Sequence, residues 1–151
     1  MSKQESVTSL SFANDDCYKN KNKIGIKGAQ ALGKLIATNQ LITMIDLTDN
    51  ALSQEAIHYI VEGVRKNPYL IYLNLSQNDL GTSTQGFNHL LSIFKTQPFH
   101  SLEELNMSSN QLTNKNIEDL TEVWNACSKV NLKKLVLSNN KFSSKGLLTL
   151  L

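Results

Sequence analysis

The sequence predicts an α/β fold in which a strand-and-helix unit repeats and stacks into a short curved solenoid. Four segments share one apolar pattern, they recur at nearly constant intervals, and each is followed by a stretch with helical periodicity. The segments are ITMIDLTDNAL from Ile42, LIYLNLSQNDL from Leu70, LEELNMSSNQL from Leu102 and LKKLVLSNNKF from Leu132. These three observations indicate about five repeats in the 151 residues.

Each segment reads apolar-x-x-apolar-x-apolar-x-x-Asn-x-apolar. The shared asparagines are Asn50, Asn78, Asn110 and Asn140, at intervals of 28, 32 and 30 residues. A degenerate first copy fits if residues 15–21 are an insertion: Val7, Leu10 and Phe12 then supply its apolar positions and Asn22 its asparagine. We therefore predict one domain over 1–151, with repeats at 7–38, 42–67, 70–97, 102–129 and an incomplete 132–151.

The secondary structure of each repeat follows from its apolar spacing. Alternation of period two places pairs such as Leu73 and Leu75 on the buried face of a short strand. Helical spacing of apolar residues predicts helices over 26–38, 53–66, 82–95, 113–128 and from 143 onwards. Ser53 is placed to cap the second helix, and Thr82 with Gln85 resembles a capping box at the third.

Stacking such units curves the sheet. Strands lie about 4.8 Å apart, whereas packed helices need roughly 8–10 Å, so the parallel sheet lines the inside of an arc and the helices its convex side. A column of small residues in the helices is expected to let helix and strand layers approach: Gly28, Ala56, Gly86 and Gly146.

This pattern resembles the leucine-rich repeat family, and the stretch IGIKGAQAL from Ile24 is similar to its ribonuclease-inhibitor-like subclass, with one helix per repeat. The resemblance covers nearly the whole chain. It implies a non-catalytic scaffold that binds a partner protein through the concave sheet. The family includes inhibitors, immune receptors, actin-binding proteins and bacterial effectors that act in host cells. The lysine- and asparagine-rich, arginine-poor composition favours the last of these.

The repeated asparagine has a structural interpretation. Its amide both donates and accepts, so it can satisfy inward-facing backbone groups at the bend that leaves each strand. We expect such a ladder to contain Asn22, Asn50, Asn78, Asn110 and Asn140.

The residues between the apolar positions of each strand are predicted to project from the concave face. The candidate partner-binding residues are Met44, Asp46, Tyr72, Asn74, Glu104, Asn106, Lys134 and Val136. Five strands give this face on the order of 500 Å², which is less than the roughly 800 Å² per partner of a standard interface. Glu103 and Glu104 align with Lys133 and Lys134, which indicates ion pairs across strands rather than a pair of catalytic carboxylates.

Other functional classes receive little support from the sequence. A net charge of +2 is too small for nucleic-acid binding driven by bulk charge, and no partner of that kind is expected. Motifs typical of nucleotide-binding or hydrolytic enzymes do not occur, and His58, His89 and His100 lack metal-ligand spacing. We therefore expect no catalytic residues, metal or cofactor.

The basic segment 17–27 offers an alternative function. Lys19 and Lys21 follow Tyr18 in the insertion, and Lys23 lies just after it, a pattern that also fits a module targeting anions or a membrane surface. The other alternative is a fragment of a larger enzyme or receptor, because neither end shows a clear cap.

The cellular setting is inferred from what the sequence lacks. The two cysteines suit a reducing compartment, and neither a signal peptide nor an apolar membrane span is apparent. We expect a cytoplasmic protein, or one delivered to a host cytosol. Self-association through the open ends of the array remains an alternative to capping.

Overall fold

A computed structural model describes residues 6–14, 22–95, 101–127 and 130–150. Within these ranges, five parallel strands form one open sheet in chain order. The strands are β1 (Ser9–Ser11), β2 (Met44–Asp46), β3 (Tyr72–Asn74), β4 (Glu104–Asn106) and β5 (Lys134–Val136). The helices that follow them are α1 (Ile26–Thr38), α2 (Gln54–Lys66), α3 (Thr84–Leu91), α4 (Asn114–Ala126) and α5 (Ser144–Leu148). The predicted α/β solenoid arc is confirmed.

The strand register aligns the repeats as the apolar pattern predicts. Leu10, Ile45, Leu73, Leu105 and Leu135 occupy one row across the sheet. Ile45 and Leu73 are fully buried, so this row forms part of the core between sheet and helices. Leu10 pairs with Ile45, which is the strand position that the alignment of the first repeat gave to Leu10. The insertion 15–21 that this alignment requires lies outside the described residues.

The third repeat departs from the predicted single helix over 82–95. A 3₁₀ turn at Leu80–Thr82 precedes α3, and a second 3₁₀ turn at Ser92–Lys95 follows it. The predicted capping box at Thr82 is wrong, because the N-cap is Ser83, whose hydroxyl accepts from the Gly86 N–H at 3.0 Å. Ser53 caps α2 as predicted, accepting from Ala56.

Hydrogen bonds from the repeated asparagines join neighbouring repeats in series. The Asn78 Oδ1 accepts from the backbone N–H groups of Asn50 and Leu52, at 3.0 and 3.2 Å. Its Nδ2 donates to the carbonyls of Leu47 and Leu75. Asn110 makes the corresponding bonds to Asn78, and Asn140 to Asn110. One amide therefore satisfies groups in its own repeat and in the preceding one.

Asn22 does not belong to this ladder, so the prediction that placed it there is wrong. Asn22 is exposed, and its backbone N–H donates to Asn14 Oδ1 at 2.6 Å rather than to Asn50. The Oδ1 of Asn50 is buried and has no hydrogen-bond partner among the described residues. The cause is the insertion, which separates Asn14 from Asn22 and leaves Asn14 to bridge Asn22 and the Asp49 carbonyl.

Residues on either side of the ladder adopt left-handed backbone conformations. Positive φ angles of 48–59° occur at Asp49, Ala51, Gln77, Asp79, Ser109, Gln111 and Asn139. None of these residues is glycine, so each conformation carries a steric cost of roughly 1–2 kcal/mol. The buried amide hydrogen bonds of the ladder offset this cost at the sharp turn after each strand.

The closest approach in the convex layer is between two helices, at a pair of glycines that the predicted column did not include. A methyl group on Gly63 of α2 would lie 2.9 Å from the Cα of Gly33 in α1 and would overlap its carbonyl oxygen. In the predicted column, Gly28 is exposed, and Gly86 and Gly146 face side chains of the preceding repeat rather than the strands. For these three glycines, the expectation that the column brings helices and strands together is wrong.

We predict that Asn78→Ala lowers the free energy of unfolding by about 1–3 kcal/mol or more. That range is the cost of leaving one buried polar group unpaired. The variant removes acceptors from Asn50 and Leu52 and a donor from Leu47. Urea unfolding measures the change. Asn88→Ala, at an exposed position of α3, is the matched control and is expected to remain near the parent. Equal midpoints for the two variants would contradict the role of the ladder.

Gly63→Ala is expected to destabilise the protein by several kcal/mol, because the added methyl must separate α1 from α2. Gly28→Ala in α1 is the control: its methyl would meet only the side chain of Ile24, at 3.3 Å. There the usual helical preference for alanine over glycine, about 1 kcal/mol, should make the change neutral or stabilising. Thermal unfolding distinguishes them, and similar melting temperatures for both variants would refute the close approach.

Candidate functional site

The exposed side of the sheet carries two rows of side chains that cross four strands. The register places Met44, Tyr72, Glu104 and Lys134 side by side in the first row. Asp46, Asn74, Asn106 and Val136 form the second. All eight were predicted from the sequence to lie on this face, and their role in binding stays a prediction. We call this surface the concave face.

A hydrogen-bonded network orders the part of the concave face that β2 and β3 contribute. The Asp46 Oδ1 accepts from the N–H of Thr48 at 2.9 Å and from its hydroxyl at 2.6 Å. The Asn74 Nδ2 donates to Asp46 Oδ2 at 3.1 Å. The Ser76 hydroxyl oxygen lies 3.0 Å from the hydroxyl oxygen of Thr48. These contacts fix the Asp46 carboxylate in one orientation.

Asn74 is more buried than its predicted position on the face suggested. Only 7% of its surface is exposed, and its Oδ1 accepts from the backbone N–H of Ser76 at 3.0 Å. The amide is held by Asp46 of β2 and by the backbone of Ser76, just after β3. Asn74 therefore positions Asp46, whereas Met44, at 45% exposed, presents its side chain to solvent.

Tyr72 lies between two carboxylates. Burial raises the pKa of its phenol above the ordinary value, and the negative charges of Asp46 and Glu104 raise it further. Hydrogen bonding to Asn74 and the charge of Lys134 act in the opposite direction and are smaller. The phenol is therefore neutral at physiological pH and keeps its proton as a hydrogen-bond donor.

Cross-strand ion pairs cover the end of the face nearest β5. The Lys133 and Lys134 ammonium groups lie 2.7 and 3.1 Å from the carboxylates of Glu103 and Glu104. This arrangement confirms the interpretation of these glutamates as partners of the lysines. Both lysines are largely exposed, so each pair contributes at most about 1 kcal/mol to stability and can be exchanged for contacts with another molecule.

A patch of exposed apolar residues borders the concave face where the chain enters β2 and β3. Leu41, Tyr69 and Ile71 are 51%, 44% and 41% exposed, and we call them the entry rim. Leu41 and Tyr69 hold equivalent positions, because Asn39 Oδ1 accepts from the Leu41 N–H as Asn67 Oδ1 does from that of Tyr69. Sequence reasoning missed the rim, although apolar residues at these variable repeat positions were a usable signal.

The convex side holds a histidine pair that the sequence did not predict. His58 Nδ1 of α2 and His89 Nε2 of α3 lie 2.8 Å apart, and Glu62 Oε1 is 3.9 Å from His89. Desolvation lowers the pKa of His89, and so does the charge of His58. Among the described residues, no group of three or more histidine, cysteine or acidic side chains is placed to hold a metal ion.

The basic segment 17–27 lies partly outside the described part of the chain. Lys19 and Lys21 are among the residues outside it, whereas Lys23 is described and exposed. No helix within the described ranges is long and apolar enough to cross a membrane.

Comparisons with known proteins agree with the repeat assignment. Two family models described as leucine-rich repeats match, one at residues 101–123 and the other at 66–83 and 128–151. The chain is similar to the NACHT, LRR and PYD domains-containing protein 4E of Mus musculus, with 31% identity over 121 residues. The alignment covers 80% of this chain but only 12% of the mouse protein.

We predict that stability falls as the pH drops through the titration range of His89. Because the pKa of folded His89 is lowered, the unfolded chain binds more protons below the ordinary histidine pKa of about 6.5. The free energy of unfolding should therefore decrease from pH about 7.5 to pH about 5. Glu62 opposes the lowering and Arg65 adds to it.

His89→Gln should reduce this pH dependence, as measured by urea unfolding at the two pH values. Asn88→Gln, on the neighbouring exposed position, should retain the parental slope. An unchanged slope in His89→Gln would exclude the pair as its source.

Proposed function

The chain belongs to the leucine-rich repeat family, and we propose that it is a non-catalytic scaffold that binds a partner protein through the concave face. Proteins of this family serve as protein-interaction scaffolds in general. The observation that carries the proposal is the ordered surface of β2 and β3, where Asp46 is held by three hydrogen bonds beside the half-buried Tyr72. Such preorganisation lowers the entropy lost when a ligand binds.

The side chains of this surface have the character of binding residues. Tyr72 and Met44 supply aromatic and adaptable apolar contacts of the kind enriched at the centres of interfaces. Glu104 and Lys134 add charges of both signs that can orient a partner. The entry rim enlarges the surface beyond the sheet, which alone provides on the order of 500 Å².

One observation favours a second candidate, that these repeats are the recognition part of a larger receptor. The mouse relative is named for NACHT and PYD domains in addition to its repeats, and the aligned region is 12% of its length. A bacterial effector role rests on the lysine- and asparagine-rich composition. Targeting of anions by Lys19, Lys21 and Lys23 rests on their spacing in the sequence.

Affinity capture with two matched variants tests the concave face. The face variant combines Tyr72→Ala with Lys134→Glu, and the convex control combines Glu55→Ala with Gln85→Ala at exposed helical positions. Proteins captured from lysate by the parent are purified, and their Kd is measured directly for the parent and for each variant. We expect the face variant to weaken binding at least about tenfold and the control to change it less than about twofold.

Equal affinities for the parent and the face variant, with both variants folded by urea unfolding, would contradict the proposal. Loss of binding in the convex control alone would assign the interface to the helices.

A further inference from the structure

We propose that the concave face binds an extended partner segment that places a basic side chain on Tyr72, between Asp46 and Glu104, and apolar side chains against the entry rim. This inference rests on the proposed function and specifies the chemistry of the partner. It commits to a segment of another protein, with arginine favoured over lysine because its planar guanidinium both stacks and forms paired hydrogen bonds.

Asp46 supplies the first reason. Its carboxylate forms no ion pair among the described residues, whereas Glu104, the other carboxylate beside Tyr72, pairs with Lys134. The three hydrogen bonds from Thr48 and Asn74 orient the group but bring no positive charge. A fixed, half-exposed carboxylate without a counter-charge is complementary to a cation.

Glu104 supplies the second reason. It lies on β4 in register with Tyr72 of β3, on the opposite side of β3 from β2. Its contact with Lys134 at 3.1 Å involves side chains that are 41% and 61% exposed. A pair this exposed is weak, so a partner's cation can share the carboxylate or displace the lysine.

Tyr72 joins the two carboxylates. A cation over the face of a tyrosine ring is attracted by the negative charge of the ring face. Asp46 lies diagonally from Tyr72 on β2, and Glu104 lies beside it on β4. The whole chain has a net charge of +2, so the negative potential at this position is local. The overall charge of the chain therefore does not account for this negative potential. We interpret the potential as a feature of specific recognition at Tyr72.

The entry rim determines what flanks the basic residue. Leu41, Tyr69, Ile71 and Met44 each expose more than two-fifths of their surface at the beginning of the two strands that carry Asp46 and Tyr72. Apolar residues next to the basic one would cover this patch. Acidic residues at these places would be repelled by Asp46 and Glu104.

Selection of displayed peptides tests this chemistry. Random peptides of about twelve residues are selected on the purified full chain, and those that still bind Tyr72→Ala are discarded. We expect the remaining binders to contain arginine or lysine next to apolar residues. In a synthetic binder, replacing the basic residue with glutamine should raise the Kd at least about tenfold.

Variants of the protein separate charge from fold. Asp46→Asn and Glu104→Gln should each weaken the same peptide and reduce its loss of affinity between about 50 mM and about 300 mM salt. Glu104→Gln keeps the test valid if Asp46→Asn fails to fold. Glu118→Gln, a half-buried glutamate of α4, is the control and should leave the Kd unchanged.

The outcomes distinguish the two proposals. Tyr72-dependent binders without basic residues would overturn the cation site and leave the concave face as the binding surface. A selection in which every binder still binds Tyr72→Ala would overturn both. The parent could form a concentration-dependent dimer that dissociates in Asp46→Asn. In that case a second copy of this chain would bind the concave face, and the assignment to another protein would be overturned.

Discussion

The hydrogen bonds that the repeated asparagine side chains make between neighbouring repeats are the interaction on which the rest of this fold depends. After β2, β3 and β4 the chain turns sharply through two left-handed residues and leaves backbone N–H groups buried without a sheet partner. The asparagine of the next repeat accepts from them, so each turn is completed only by its neighbour. Sheet register, the start of each helix and the spacing of the concave side chains all follow from this contact between repeats.

The sequence was informative wherever a residue's environment repeats. Period-two alternation placed Leu73 in the core and Tyr72 on the concave face, and the common spacing aligned Leu10 with Ile45. Prediction failed where one repeat differs from the rest. Asn22 follows an insertion and contacts Asn14 instead of joining the ladder. The N-cap of the third helix is Ser83, one residue after the predicted Thr82, because a 3₁₀ turn precedes the helix.

Features formed between repeats were the least predictable. The Gly33–Gly63 contact, the His58–His89 pair and the entry rim each depend on how two helices or two loops lie side by side. Apolar spacing within one repeat carries no information about that distance. The same limit explains Asn74, whose burial results from bonds to Asp46 in the neighbouring strand as well as to Ser76 in its own loop.

The register also separates two kinds of change in this protein. Paired strand positions such as Ser9, Met44, Tyr72, Glu104 and Lys134 stay in one row although the repeats between them differ in length by several residues. The extra residues are accommodated in the loops and on the convex side, as in the 3₁₀ turns around α3. The helical side can therefore gain or lose residues during evolution or engineering without moving the side chains that face a partner.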